Sequence, residues 1–186
     1  MLKIAALALR GFLLAFGAVV LGLSVSLAKH QAIGSPPSET SFSSFCGAFG
    51  IIVTVIGILA FFFDKIPYTI VLGADALASV FYLAAAIALT VALRPVSSCT
   101  SSDLIQRAYR YNNKLLNGGC LHRNGLVCPN AGSGGGNSYD SYTSGRCQMT
   151  QADYVFEYLG FLFGAAMVIV GFLAYRRNGG GSKVFV

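Results

Sequence analysis

The sequence predicts an all-α fold, a polytopic membrane protein built as a bundle of four transmembrane helices with one sizeable, disulfide-bearing loop. Three observations carry this. Hydrophobic residues make up 55% of the chain and charged ones 11%, with a mean hydropathy of +0.66, a balance foreign to soluble globules. The apolar residues fall into four long runs. Spanning segments must bond their own backbone amides in hydrocarbon, so they are helices or a closed barrel, and unbroken runs lack the two-residue alternation of barrel strands. Finally, four of the five cysteines, Cys99, Cys120, Cys128 and Cys147, share one polar segment, which suggests two disulfides and an oxidising side of the membrane.

The first span is expected over about residues 4–28, interrupted by Arg10. A cleaved signal peptide is the alternative, since Ser26-Leu27-Ala28 offers small residues for cleavage. The apolar core is too long for a signal sequence and carries Arg10 within it, so a retained helix is favoured. Residues 29–44 form a short polar loop with Pro36-Pro37, which cannot continue a helix. The second span is expected at 45–63 and the third at 68–93. Asp64-Lys65-Ile66-Pro67 between them is a turn so short that the two helices must be antiparallel neighbours.

Residues 94–152 form the only segment large enough for an extracellular domain. Asp103 to Leu116 reads as an amphipathic helix with Leu104, Ala108, Tyr111 and Leu115 on one stripe, and Asp103 with Gln106 resembles a capping box. Such a helix packs on its own ectodomain, or else lies on lipid headgroups. Asn130 to Gly145, rich in Gly, Ser and Asn, has little to bury and is expected to be mobile. The fourth span is expected at 154–175, followed by a disordered cytoplasmic tail over 176–186. Both termini then share one side. Basic residues at the helix ends leave the charge rule ambiguous, and the cysteine cluster breaks the tie by placing the 94–152 loop outside and the termini in the cytoplasm.

Charges inside apolar runs are the sharpest candidates. Asp75 interrupts the third span and must find a partner, because a charge near the bilayer interior costs roughly 2.5–3.5 kcal/mol. Arg10 and Asp75 each lie about six residues past a helix start, roughly 9 Å deep at about 1.5 Å per residue. Their matching depth and opposite sign predict an interhelical ion pair. Alternatively Arg10 snorkels to headgroups while Asp75 bonds hydroxyls or water, or the two belong to a proton or ion relay. Glu157, near the start of the fourth span, suits the positive end of a helix dipole as an outer-interface acid, or forms a ligand site with Asp153 and Tyr154.

Small residues mark helix contacts. Gly160 and Gly164 have the spacing G-x-x-x-G, and Gly73, Ala74 and Ala78 narrow one side of the third helix, for packing within the bundle or for self-association. Little supports catalysis. His30 and His122 are the only histidines, and His122 with Cys120 and Cys128 fits oxidised cysteines better than a metal site. No phosphate loop, nucleophile elbow or zinc motif is present, so the expectation is a protein without enzymatic activity, metal or cofactor. The net charge of +6 is scattered without a basic tract, which argues against nucleic acid.

Arg10 in helix one, Asp75-Ala76-Leu77 followed by Phe81-Tyr82 in helix three, Ser98-Cys99 just after it and Arg146-Cys147 before helix four together resemble the MARVEL tetraspan architecture, and in particular its fungal members of the non-classical export, eisosome-associated type. The resemblance spans residues 1–175. It implies pairing of Cys99 with Cys147, which leaves Cys120 for Cys128. It also implies a plasma-membrane protein that organises sphingolipid-responsive or sterol-rich lateral domains and serves membrane traffic or unconventional secretion. Its partners would be membrane lipids, further copies of itself or other membrane proteins. Rival readings are a small channel or transporter using the intramembrane charges, and an accessory subunit of a larger membrane protein.

Overall fold

A computed structural model describes residues 2–63, 67–122, 126–128 and 136–177. The helices are α1 (Leu2–Lys29), α2 (Ser38–Phe62), α3 (Tyr68–Leu93), the short α4 (Leu104–Asn112) and α5 (Gly136–Arg177). Four of them, all but α4, are long and apolar enough to cross a membrane. They close a ring in which α1 packs on α2 and α5, and α3 packs on the same two. Thus α1 faces α3 across one diagonal and α2 faces α5 across the other. The remaining element is a two-residue antiparallel ladder, β1 (Leu121–His122) with β2 (Leu126–Val127), flanked by the Cys120–Cys128 disulfide.

Two spans are longer than the hydropathy suggests. α2 begins at Ser38, not at 45: Pro37 stands at its N-cap and Glu39 in its first turn, where a carboxylate suits the helix dipole. α5 begins at Gly136, not at 154, which makes residues 136–145 helical where a mobile segment was expected. The reason is tertiary. Thr143, Arg146, Cys147, Thr150, Asp153 and Glu157 are all buried, one continuous helical stripe that holds a Gly- and Ser-rich segment in register against its low propensity. The turn at 64–66, the side chain of His122 and the tail from 178 onward lie outside the described residues.

Close helix approach rests on glycine. A side chain on Gly47 would meet the Leu21 backbone nitrogen at 2.7 Å, and one on Gly17 would meet the Gly47 carbonyl oxygen at 3.3 Å, so α1 and α2 touch almost backbone to backbone. Gly160 lies under the Tyr82 ring and Gly164 against the Ser79 hydroxyl, joining α5 to α3. Gly73 does not take part. Nothing approaches it and it is exposed on the outer surface of α3, whereas Ala78 is buried and Ala74 partly so.

Candidate functional site

The interior of the ring is polar at two levels and aromatic between them. At the first level Arg10 of α1 reaches across the diagonal to Asp75 of α3: Nη1 donates to Oδ1 at 2.6 Å and Nη2 to Oδ2 at 2.6 Å. Both residues are buried, and the bidentate fork is the strongest geometry available to such a pair. Gly57 of α2 makes room, since a methyl there would collide with the guanidinium. The pair thus links the diagonal helices, which are not packing neighbours, through the bundle centre.

Tyr82 of α3 fills the middle. Its ring covers Gly160 and its hydroxyl sits against Gly50 and Gly17, so one side chain touches all three other spanning helices. The hydroxyl has no hydrogen-bond partner among the described residues. Beside it a cavity of about 10 Å³, lined by Thr54, Asp75, Ser79 and Tyr82 among others, is large enough for one water at most.

At the third level the other diagonal is bridged. Ser43 of α2 meets Glu157 Oε1 at 2.6 Å and Asp153 Oδ2 at 3.0 Å, both on α5. All three residues are buried, and the second oxygen of each carboxylate has no hydrogen-bond partner among the described residues. Glu157 does not stand at a helix start: α5 begins at Gly136, so Glu157 lies several turns inside it, beyond reach of the terminal dipole. Tyr154, paired with it in the sequence reading, instead packs beside the Leu89 and Leu93 cluster.

Above this level a cap closes the bundle. Cys99 is bonded to Cys147 within a buried cluster of Leu89, Leu93, Val96, Leu115 and Leu116. Arg146 is buried and donates to two backbone carbonyls, Leu115 O (Nε, 3.1 Å; Nη2, 2.9 Å) and Leu27 O (Nη1, 3.0 Å), tying α5 to the end of α1. Arg110 of α4 is fully buried, donating to Ser98 O at 3.0 Å, Ser101 O at 2.9 Å and Asp140 Oδ1 at 2.5 Å. Gly119, with φ of 91°, faces the Ile33 carbonyl so closely that only glycine fits.

Sequence reasoning missed Ser43, Asp153 as its partner, Arg110 and the glycines of α2. The glycines carried a usable signal, since Gly50 and Gly57 stand seven residues apart, on one helical face. Among the described residues no group of His, Cys, Asp and Glu could hold a metal. The single free cysteine, Cys46, is buried with Val20, Tyr82 and Ala85.

Four spanning helices that neutralise a buried charge internally under a disulfide-bonded cap define a polytopic membrane protein of the tetraspan class. The family model for the membrane-associating domain, MARVEL, matches residues 3–170, and the chain belongs to that family. No curated protein matches the chain, and no solved structure does.

Proposed function

We propose that the chain is a plasma-membrane tetraspan that acts through the surface it presents, organising lateral, sphingolipid- or sterol-rich domains of the eisosome kind and so serving membrane traffic or unconventional secretion. In this reading it catalyses no reaction, both termini are cytoplasmic, and the Cys99–Cys147 cap faces outward. The observation that carries it is the segregation of polarity. Asp75, Arg10, Glu157 and Asp153 all point inward and are buried, while Phe12, Ile52, Val80, Leu162 and Ile169 cover the outside. Such a molecule offers lipids and neighbouring proteins, or further copies of itself, an apolar wall and a rigid cap.

The test is imaging of a tagged chain before and after sphingolipid depletion. A punctate plasma-membrane pattern that disperses is expected; a pattern indifferent to depletion overturns the lateral-domain role. The channel reading requires a polar path along the axis, and Tyr82 occupies that axis against three helices. Reconstituted protein is expected to pass no ions, and flux abolished by Asp75→Asn would replace the organiser reading with a channel.

A further inference from the structure

The short helix α4 is turned the opposite way from an ordinary surface helix. Its inward side carries Arg107 and Arg110, which clasp Asp140 of α5 at 3.1 Å and 2.5 Å, while Asp103 caps its first turn by accepting from Ile105 N. Gln106 does not complete a capping box, because its Oε1 accepts from Ser97 N at 3.2 Å instead. The outward side is Leu104, Ile105, Ala108, Tyr109 and Asn112, all exposed, with Leu104 at 77%, Ile105 at 61% and Tyr109 at 46%. These residues recur at the spacing of a single helical face. The sequence stripe through Tyr111 and Leu115 is therefore not the one displayed: Tyr111 is half-buried and Leu115 belongs to the cap's core.

This apolar face continues a surface that already meets lipid. Asn113, just past α4, donates to Ala92 O at 2.8 Å, fixing the end of α4 at the level of the last turn of α3. The outer wall of α3 carries Ile87 and Val91, the latter 63% exposed, up to that turn. Between the two lies an open cleft of about 290 Å³ with Ala92 and Pro95 on one side and Tyr109, Asn112, Asn113 and Lys114 on the other. An apolar floor beneath an amphipathic, tyrosine-bearing rim is the polarity gradient of a leaflet boundary.

We propose that α4 is an interfacial anchor: its Leu104, Ile105 and Tyr109 face lies in the boundary of the leaflet that ends beside Leu93, and its partner is the lipid surface. The inference needs only that α3 spans a membrane, so it stands or falls separately from the lateral-domain role. Charge supports the same occupant. Arg94, next to Pro95 of the cleft, is exposed, where a basic residue meets headgroup phosphates; Lys114 on the rim is instead paired with Glu39 at 2.7 Å.

The chain contains no tryptophan, so a single introduced indole reports its own surroundings. Leu104→Trp and Ile105→Trp, in the full chain reconstituted in phosphatidylcholine vesicles, are expected to emit at blue-shifted wavelengths. Lipid brominated near the head of its chains should quench them more than lipid brominated near the tail, with Leu162→Trp on the lipid face of α5 as the deep reference. Water-like emission quenched by aqueous iodide overturns the anchor. So does blue-shifted emission insensitive to brominated lipid, which signals a protein partner or a second copy on the face. Unaltered protein gives a second readout independent of these variants: a photoreactive lipid with a shallow probe should form adducts within 104–112, and labelling confined to the spanning helices removes the proposal.

Discussion

The two diagonals of the bundle face the same difficulty, polar side chains drawn into hydrocarbon, with unequal resources. Across α1 and α3 a guanidinium meets a carboxylate through two parallel bonds of 2.6 Å, and donors match acceptors except at Arg10 Nε. Across α2 and α5 two carboxylates converge on Ser43, whose single hydroxyl hydrogen is donated to one of them at a time. Each of those carboxyls also keeps an oxygen with no partner among the described residues. A buried polar bridge therefore stabilises according to its balance of donors and acceptors, not according to the number of polar atoms it gathers. The first diagonal is a closed account of charge; the second is held together by the helices around it.

The largest consequence falls on the balanced diagonal. Asp75→Asn leaves Arg10 charged and facing an amide, and loss of one partner from a buried pair costs about 3–5 kcal/mol. Thermal unfolding of the purified chain in bicelles, followed by circular dichroism, should show this as a large fall in Tm. The double substitution Arg10→Met with Asp75→Leu should recover most of the loss, because well-packed apolar residues often replace a buried pair without penalty. Asp75→Asn as stable as the parent would show that water reaches the pair and that its match of donors to acceptors does not set its stability.

A smaller effect is expected from Ser43→Ala. It deletes the hydroxyl that bridges the second diagonal and leaves two buried carboxyls without that donor, at a cost of about 1–3 kcal/mol. Because Ser43 is surrounded by helix and its alanine replacement fits without strain, the loss reads the hydrogen bonds rather than packing. A loss as large as that of Asp75→Asn would mean that the second diagonal is as tightly coupled as the first.

How much of this was readable in advance follows from the same contrast. Arg10 and Asp75 stand out because a charge in an apolar run is conspicuous, and residue counts from the helix starts place them at one depth. The helices they join could not be ranked by adjacency, since periodicity says that a face is buried and not which neighbour buries it. Ser43 is hidden because a serine among Phe42, Ser44 and Phe45 is as ordinary in a loop as in a helix, and the apolar run that marks α2 starts only at Phe45, two residues beyond it. The first turns of α5 were hidden by composition: glycine, serine and asparagine argue against a helix, and only the clasp of Asp140 with Arg107 and Arg110, the anchor of Arg146 and the Cys99–Cys147 bond override them. For α4 amphipathicity was visible but its direction was not, because an apolar stripe fits equally a protein core and a lipid surface.

The smallest expected effect has the opposite sign and separates the two diagonals most sharply. Glu157→Gln keeps the shape of the side chain, removes one acid from a site with more acceptors than donors, and brings an amide whose hydrogens can be donated to Ser43 Oγ, which lies 2.6 Å from Glu157 Oε1, or to Asp153, whose Oδ2 lies 3.0 Å from the same hydroxyl. One hydrogen bond gained is worth about 0.5–1.5 kcal/mol, so Tm should rise or hold. The same acid-to-amide exchange at Asp75 lowers it steeply, because there the carboxylate is matched to a cation and here it is matched only to a hydroxyl. Combined with Ser43→Ala, Glu157→Gln should recover part of that variant's loss, since the amide then supplies Asp153 with the donor the serine no longer provides. If Glu157→Gln instead destabilises as strongly as Asp75→Asn, the carboxylate of Glu157 is held by a cation that the packing of α2, α3 and α5 does not reveal, and the asymmetry between the diagonals disappears.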